Sequence, residues 1–239
     1  RTTREVKAWD ELLAVPHSLW MDEEAAATSA IGTALRLSGL WGAITNATLI
    51  ALFVEHERHQ RDSKWAPFLA MLPWPASSPL LLDPVLLPEL QSSALRGWVQ
   101  EFNTTLRATY NATVNYLAKL YPGMFDLSVN SAESFIASYA TAHARCFMLH
   151  RGDDPTATQW GMIPFMDLLN HDPTTPNAYR SEGEAFVMRA PQDTPAGSEL
   201  FITYGDKSNA QLFVFYGFVL PDNLFDALSL RVRLRLPAA

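Results

Sequence analysis

The sequence predicts an α+β fold, in which short strands at both ends of the chain flank a helical middle. Apolar residues recur at helical spacing between residues 47 and 140, whereas short alternating runs occur before and after that stretch. Neither an internal repeat nor a low-complexity linker separates these parts. We therefore expect one β-rich domain at 1–46 and 141–224, split by a helical insertion at 47–140, with 225–239 opening a further C-terminal region.

The first part of the chain predicts a strand followed by helices. Leu12–Val15 is a short apolar strand that Pro16 ends, and 18–21 offers a second short strand. Asp22 is a suitable N-cap for the acidic and alanine-rich helix that follows. A further helix is predicted for 47–60, with an apolar face early and a solvated charged end, EHERHQRD, at 55–62.

Proline and periodicity divide the helical middle. Repeated prolines between 67 and 88 exclude a long helix or a central strand there. The three-and-four spacing over 92–120 predicts one long amphipathic helix, which Pro122 and Gly123 end. Ser131 begins the next helix, whose apolar stripe extends through Cys146 and Leu149.

The last part of the chain returns to short strands. Gly161–Leu169 is consistent with a buried strand or a tight helical turn, and 184–190 and 199–204 are strands. Ser208 and Gln211 have the spacing of a capping box, which predicts a helix over 209–216. Gly217 ends that helix.

Composition restricts the class of partner and the compartment. The net charge of −7 and the pI of about 5.3 give no electrostatic footprint for nucleic acid or an anionic membrane. A single cysteine, Cys146, excludes an internal disulfide, and the six histidines show no zinc-ligand spacing. We expect a soluble, intracellular monomer without a metal, with no membrane span and no signal peptide.

Two short stretches carry groups suited to a binding site. Asn170 and His171 follow an apolar run and offer a side-chain amide and backbone groups at a turn, while Tyr204 ends a strand just before a capped helix. On these residues alone, a structural turn and a core tyrosine remain the alternatives. No G-x-S-x-G elbow, phosphate loop or G-x-G-x-x-G fingerprint occurs in the chain.

Taken in order, the motifs form a recognisable combination. DLLNH at 167–171, ELFITYG at 199–205 and KSNAQLFVFYGFVLPDN at 207–223 resemble the SET-domain methyltransferases, in the branch typified by the Rubisco large-subunit lysine methyltransferase. The stretch at 4–26 and SKWAPFLAMLP at 63–73 are similar to the same branch. The resemblance implies a SET core of short strands with a pseudoknot, in which the turn after Tyr204 lies close to Asn170 and His171.

The resemblance also implies roles for individual residues. Asn170, through its side chain, and His171, through its backbone, match the motif that binds S-adenosylmethionine. Arg145 falls on a cofactor-binding arginine, and Ala144 replaces the serine that precedes it in the family. Tyr204 matches the catalytic tyrosine, which also lies beside the cofactor.

The resemblance likewise implies which residues contact the substrate. Tyr216 and Tyr179 match tyrosines of the lysine channel, and Asp167 supports the turn before Asn170. Phe147 is apolar where a histidine-methylating relative would need a polar partner for imidazole.

The resemblance implies protein-lysine N-methylation of a non-histone protein, with S-adenosylmethionine as cofactor. The alternatives are a protein-histidine methyltransferase of the same fold and a SET-fold binding module without catalysis. The family's glycine-rich loop would precede Arg1 and its C-terminal domain would follow Ala239, so we expect weaker binding by this chain than by a longer parent.

Overall fold

A computed structural model describes residues 1–90, 94–150 and 158–228. The strands are β1 Glu11–Pro16, β2 Met21–Asp22, β3 Cys146–His150, β4 Thr158–Met162, β5 Asn170–His171, β6 Tyr179–Glu182, β7 Ala185–Arg189 and β8 Phe201–Ile202. The helices are α1 Glu23–Thr28, α2 Ala30–Leu37, α3 Asn46–Glu57, α4 Ala66–Met71, α5 Leu95–Ala112, α6 Val114–Leu120, α7 Ala132–Arg145 and α8 Asn209–Tyr216. Short 3₁₀ turns occur at His17–Leu19, Pro79–Leu81, Pro84–Leu90 and Met166–Leu168.

The strands form three small sheets, which confirms an α+β fold. Two sheets are antiparallel, with orders β1-β7-β6 and β2-β4-β3. The third is the parallel pair β5-β8. The strands are at most six residues long because turns and proline interrupt the chain. Sheets of such short strands depend on packing against neighbouring elements for their stability.

The N-terminal elements follow the local sequence signals. The carboxylate of Asp22 accepts a hydrogen bond of 2.8 Å from the Ala25 N–H and caps α1, as predicted. The expected second strand is displaced: His17–Leu19 is a 3₁₀ turn, and β2 begins only at Met21.

The helices of the middle share one hydrophobic core with α1 and α2. Residues from α2, α3, α5 and α7 are fully buried in it, among them Leu35, Phe53 and Phe135. Helix α7 runs through residues 140 and 141 without a break, which connects the helical middle directly to the strands that follow.

Residues 55–57 at the end of α3 are buried, whereas 59–62 are exposed, so the prediction of a solvated charged end for 55–62 is wrong for its first part and confirmed for its second. Glu55 has no exposed surface. Asn130, Ser134 and Ser138 donate side-chain hydrogen bonds of 2.6–3.0 Å to its carboxylate. A buried carboxylate requires such donors. Helical periodicity did not reveal them, since they lie more than 70 residues further along the chain.

Two other predictions about helix length were wrong. The helix predicted over 92–120 is broken at Thr113, whose φ of −117° and ψ of −79° separate α5 from α6. Residues 91–93 lie outside the described residues. The helix that Ser131 caps ends at Arg145, and the rest of its apolar stripe, Cys146 and Leu149, belongs to strand β3, which pairs with β4.

The C-terminal strands are shorter than predicted, whereas helix α8 has the predicted bounds. The apolar run 161–169 divides into the end of β4 and the 3₁₀ turn at 166–168, and the strand predicted for 199–204 is reduced to β8. Strand β6 was not predicted. Helix α8 has both bonds of the capping box between Ser208 and Gln211, and Gly217 ends it with a left-handed φ of 80°.

Candidate active site

The parallel pair β5-β8 brings the Asn-His motif next to Tyr204. Asn170 pairs with Phe201 and His171 with Ile202. The Tyr204 N–H then donates a hydrogen bond of 3.1 Å to Nδ1 of His171. This bond places Tyr204 beside His171, while the approach of the turn at 205–208 to Asn170 and His171 and the threading of a pseudoknot stay predictions.

Tyr204 is held from two sides. Its hydroxyl donates a hydrogen bond of 2.7 Å to the Leu169 carbonyl, and its ring stacks on His171 with centroids 4.9 Å apart. Because Nδ1 of His171 accepts the Tyr204 N–H, the neutral imidazole carries its proton on Nε2. Burial raises the pKa of Tyr204 and lowers that of His171, so both groups are neutral at pH 7.

Helix α8 brings Tyr216 back to Tyr204. The two phenol rings stack with centroids 4.9 Å apart and an interplanar angle of 29°. Burial and the neighbouring tyrosines Tyr204 and Tyr179 raise the pKa of Tyr216 to about 12. The pair is therefore a wall of neutral phenols.

Tyr179 and Phe147 form an aromatic wall beside that pair. Their rings meet edge to face with centroids 5.4 Å apart, and both pack on Phe186. The Tyr179 hydroxyl donates a long hydrogen bond of 3.4 Å to the Thr203 carbonyl. Phe147 offers carbon atoms only, so this wall is apolar apart from the Tyr179 hydroxyl.

Arg145 and Asp167 form a buried ion pair under the Asn-His turn. Arg145 Nη1 lies 3.0 Å from Asp167 Oδ2 and also donates to the Asp167 carbonyl at 2.9 Å. Burial raises the pKa of the Asp167 carboxyl, and the Arg145 charge opposes that rise. Among the described residues, Asp167 Oδ1 is a buried oxygen for which no hydrogen bond of normal geometry is present.

Most of the predicted site residues line a single cavity of about 630 Å³. They are Ala144, Arg145, Phe147, Asp167, Tyr179, Tyr204 and Tyr216. Asn170 and His171 do not line it. His171 lies behind Tyr204, and the exposed side chain of Asn170 donates a hydrogen bond of 2.6 Å to Glu199.

Three further residues of this region were not identified from the sequence. The Phe218 ring lies within 6.5 Å of the rings of His171, Tyr204 and Tyr216. His143 and Lys207 line the cavity itself. His143 stacks on Phe215 with ring centroids 4.2 Å apart.

The arrangement is suited to orienting a neutral nucleophile. Neutral phenols and aromatic rings surround the cavity, and the carboxylate of Asp167 is already paired with Arg145. In the part of the chain that the structure describes, no group of His, Cys, Asp and Glu side chains could hold a metal ion. Within the same residues, no helix is long and apolar enough to span a membrane.

Comparison with known proteins identifies the class. Residues 1–205 match the family model described as SET domain, and the chain belongs to this family. The chain is 26% identical to the chloroplastic ribulose-1,5 bisphosphate carboxylase/oxygenase large subunit N-methyltransferase of Nicotiana tabacum, over 97% of its own length and 47% of that protein.

Relatives with different acceptors are similar to the chain to about the same degree. N-lysine methyltransferase SETD6 of Homo sapiens is 30% identical over 77% of this chain and 40% of that protein. The actin-histidine N-methyltransferase of Canis lupus familiaris is 27% identical over 97% of this chain and 40% of that protein. Overall identity therefore does not distinguish a lysine acceptor from a histidine acceptor.

A solved structure shares the fold. The SET domain of LSMT bound to methyllysine and AdoHcy superposes with a TM-score of 0.77 at 25% identity, and covers 92% of this chain and 49% of that one. This match confirms the SET-domain fold and the LSMT-like branch. The chain spans about half the length of the curated relatives it matches.

Proposed function

We propose that the protein is an S-adenosylmethionine-dependent protein-lysine N-methyltransferase that acts on a non-histone protein. The stacked phenols of Tyr204 and Tyr216, at the wall of an aromatic cavity, carry this proposal. A pair of neutral hydroxyl-bearing rings can orient an amine lone pair without a strong base. Two relatives are named as lysine methyltransferases, which supports it further, although others are named as actin-histidine N-methyltransferases.

The cavity fits the cofactor that the family implies. Its volume of about 630 Å³ lies within the usual range for small-molecule sites, about 300–1,000 Å³. We propose that Arg145, Ala144 and Tyr204, which line the cavity, hold S-adenosylmethionine, and that Asn170 and His171, which do not line it, contact the part of the cofactor that extends beyond it. When bound, S-adenosylmethionine would supply a sulfonium methyl group: the amine lone pair would form a bond to the methyl carbon as the C–S bond breaks, and the bonding electrons would leave with the sulfur of S-adenosylhomocysteine.

The residues of this chain have three tasks in that reaction. Phe147 and Tyr179 exclude water from the channel, which favours the neutral form of an entering amine. The hydroxyl groups of Tyr204 and Tyr216 orient that amine. The pair Arg145–Asp167 fixes the turn that precedes Asn170.

A lysine acceptor is favoured over histidine by Phe147. Its ring is buried and packs on Tyr179 and Phe186, so it offers no hydrogen-bond partner to an imidazole. We further propose that 47–140 is a helical insertion between the two parts of the SET core. We also propose a monomeric catalytic unit.

Three matched peptides test the acceptor. They carry lysine, histidine or alanine at one central position and are incubated with the protein and S-adenosylmethionine. We expect mass spectrometry to detect a gain of methyl groups on the lysine peptide alone. Methylation of the histidine peptide alone would establish the second enzyme, and calorimetric binding of S-adenosylhomocysteine without any transfer would favour a binding module.

A further inference from the structure

The cavity wall includes an ammonium group, that of Lys207, which the proposed chemistry has not yet used. Lys207 follows Tyr204 by three residues, and its side chain is half-buried. The chain turns at Gly205 with a φ of 89°, and Lys207 Nζ lies 3.4 Å from the point that a β-carbon at Gly205 would occupy. The glycine therefore leaves room for the ammonium group beside Tyr204.

The cavity lining contains the cationic side chains of Arg145, Arg180 and Lys207, and of these three only Lys207 forms no ion pair among the described residues. Arg145 lies 3.0 Å from an oxygen of Asp167, and Arg180 lies 2.8 Å from an oxygen of Glu182. Within the described residues, no carboxylate oxygen lies within 4.0 Å of Lys207 Nζ. Its ammonium group therefore forms no ion pair among the described residues, although its sequence neighbour Asp206 is acidic.

The charge of Lys207 reaches imidazoles on two other elements. Burial is the main cause that lowers the pKa of His143 on α7 and of His171 in β5. A backbone hydrogen bond opposes the shift of each, Asp172 also opposes that of His171, and the positive charge of Lys207 lowers both. Lys207 thus acts on groups on both sides of the Tyr204–Tyr216 pair.

No other group of the cavity cancels that charge. Burial raises the pKa values of Tyr179, Tyr204, Tyr216 and the Cys146 thiol, so these four groups are neutral at pH 7. The remaining charged groups are the two ion pairs already described, each close to neutral as a pair. Apart from Asp172, which acts on His171 from outside the cavity lining, Lys207 is therefore the unpaired charge of the cavity among the described residues.

We propose that Lys207 is a positioning residue for the charge state of the acceptor, and that its ammonium group keeps the incoming lysine amine unprotonated. This inference rests on the proposed function. A like charge nearby disfavours an ammonium ion, so the acceptor releases its proton to water at the open mouth of the cavity before its lone pair reacts. A unit charge about 7 Å away lowers an amine pKa by about 0.5 to 1.5.

The first test measures the field without any methyl transfer. Histidine pKa values are determined by NMR for the wild type, Lys207→Met, which keeps the side-chain length, and Lys207→Arg, which keeps the charge. We expect the pKa values of His143 and His171 to rise in Lys207→Met and to stay at the wild-type values in Lys207→Arg. Equal values in all three proteins would overturn the inference.

The second test measures the pH profile of methyl transfer to free L-lysine. In Lys207→Met the apparent acceptor pKa should rise by about 0.5 to 1.5, so that the rate at pH 7 falls about 3- to 30-fold and recovers at high pH. Lys207→Arg should retain the wild-type profile. Because deprotonation of the acceptor is the step affected, the two rate curves should converge above its pKa.

The outcomes separate this inference from the proposed function. Transfer by the wild type with an unchanged profile in Lys207→Met would overturn the role of Lys207 alone. A raised KM for S-adenosylmethionine with the same profile would also overturn it, and would assign the ammonium group to the carboxylate of the cofactor. No transfer by the wild type to L-lysine or to the lysine peptide would overturn both.

Discussion

Replacing Ser138 by alanine should destabilise the protein through the buried carboxylate of Glu55. The Ser138 hydroxyl donates a hydrogen bond of 2.6 Å to Glu55 Oε2, and neither side chain is exposed. A hydrogen bond to a charged group contributes about 1.5–3 kcal/mol. Alanine regains about 0.5 kcal/mol of helix propensity in α7, which leaves a net loss of about 1–2.5 kcal/mol.

The assay is thermal unfolding followed by circular dichroism at pH 7. For a domain of this size, each kcal/mol lowers Tm by about 2–4 °C, so Ser138→Ala should lower it by about 2–10 °C. Ser128→Ala is the matched control, because Ser128 donates a bond of the same 2.6 Å length to the exposed carboxylate of Asp126. We expect no measurable change of Tm in the control. Equal effects of the two substitutions would refute the assignment of a buried polar network to Glu55.

Two further stability predictions concern a glycine and a histidine. Gly217→Ala should lower the free energy of unfolding, measured in urea, by more than about 2 kcal/mol, because the new β-carbon would lie 2.1 Å from the Ser77 carbonyl oxygen. The control is Gly39→Ala, at a similar φ of 75° with no described atom within 4 Å, which should cost about 1 kcal/mol. Equal costs would contradict the close approach at Gly217. Burial lowers the pKa of His143 in the folded protein to about 4, whereas the same imidazole in the unfolded chain has a pKa of about 6.5. Between these two pH values the unfolded chain binds a proton at His143 and the folded protein does not. Stability from this group is therefore present above pH 6.5 and lost as pH falls towards 4, by at most about 3 kcal/mol, and His143→Leu should reduce that loss in denaturation midpoints measured from pH 7 to 4.5.

Local signals were sufficient where one short stretch supplies all the interactions. The capping box of Ser208 and Gln211 and the stop at Gly217 define α8 without any distant partner, and the structure confirms them. The same holds for the Asp22 cap of α1. The ordered motifs also indicated that Tyr204, Tyr216 and the Asn-His turn come together.

Interactions between distant segments account for the errors. Glu55 follows the pattern of a solvated helix end until Asn130, Ser134 and Ser138 are known to surround it. Likewise, β3 continues the apolar stripe of α7, and only its pairing with β4 makes it a strand. Such partners are tertiary, and periodicity along one segment carries no information about them.

The site residues divide in the same way, into those that sequence motifs identified and those that tertiary packing places in the cavity. Motifs identified Tyr204, Tyr216 and Arg145, whereas His143 belongs to no motif and Lys207, which begins the stretch at 207–223, was assigned no role. Their place in the cavity follows from the packing of α7 against α8 and from the turn at Gly205.

The most direct test of the central claim is methyl transfer by Tyr204→Phe. The substitution removes only the hydroxyl that donates to the Leu169 carbonyl at 2.7 Å and leaves the ring stacked between His171 and Tyr216. We predict that the wild type adds methyl groups to the lysine peptide, detected by mass spectrometry. Tyr204→Phe should lose at least about 100-fold in rate while its affinity for S-adenosylhomocysteine, measured by calorimetry, stays within about threefold. Transfer at the wild-type rate by Tyr204→Phe would contradict the assignment of the reaction to this cavity.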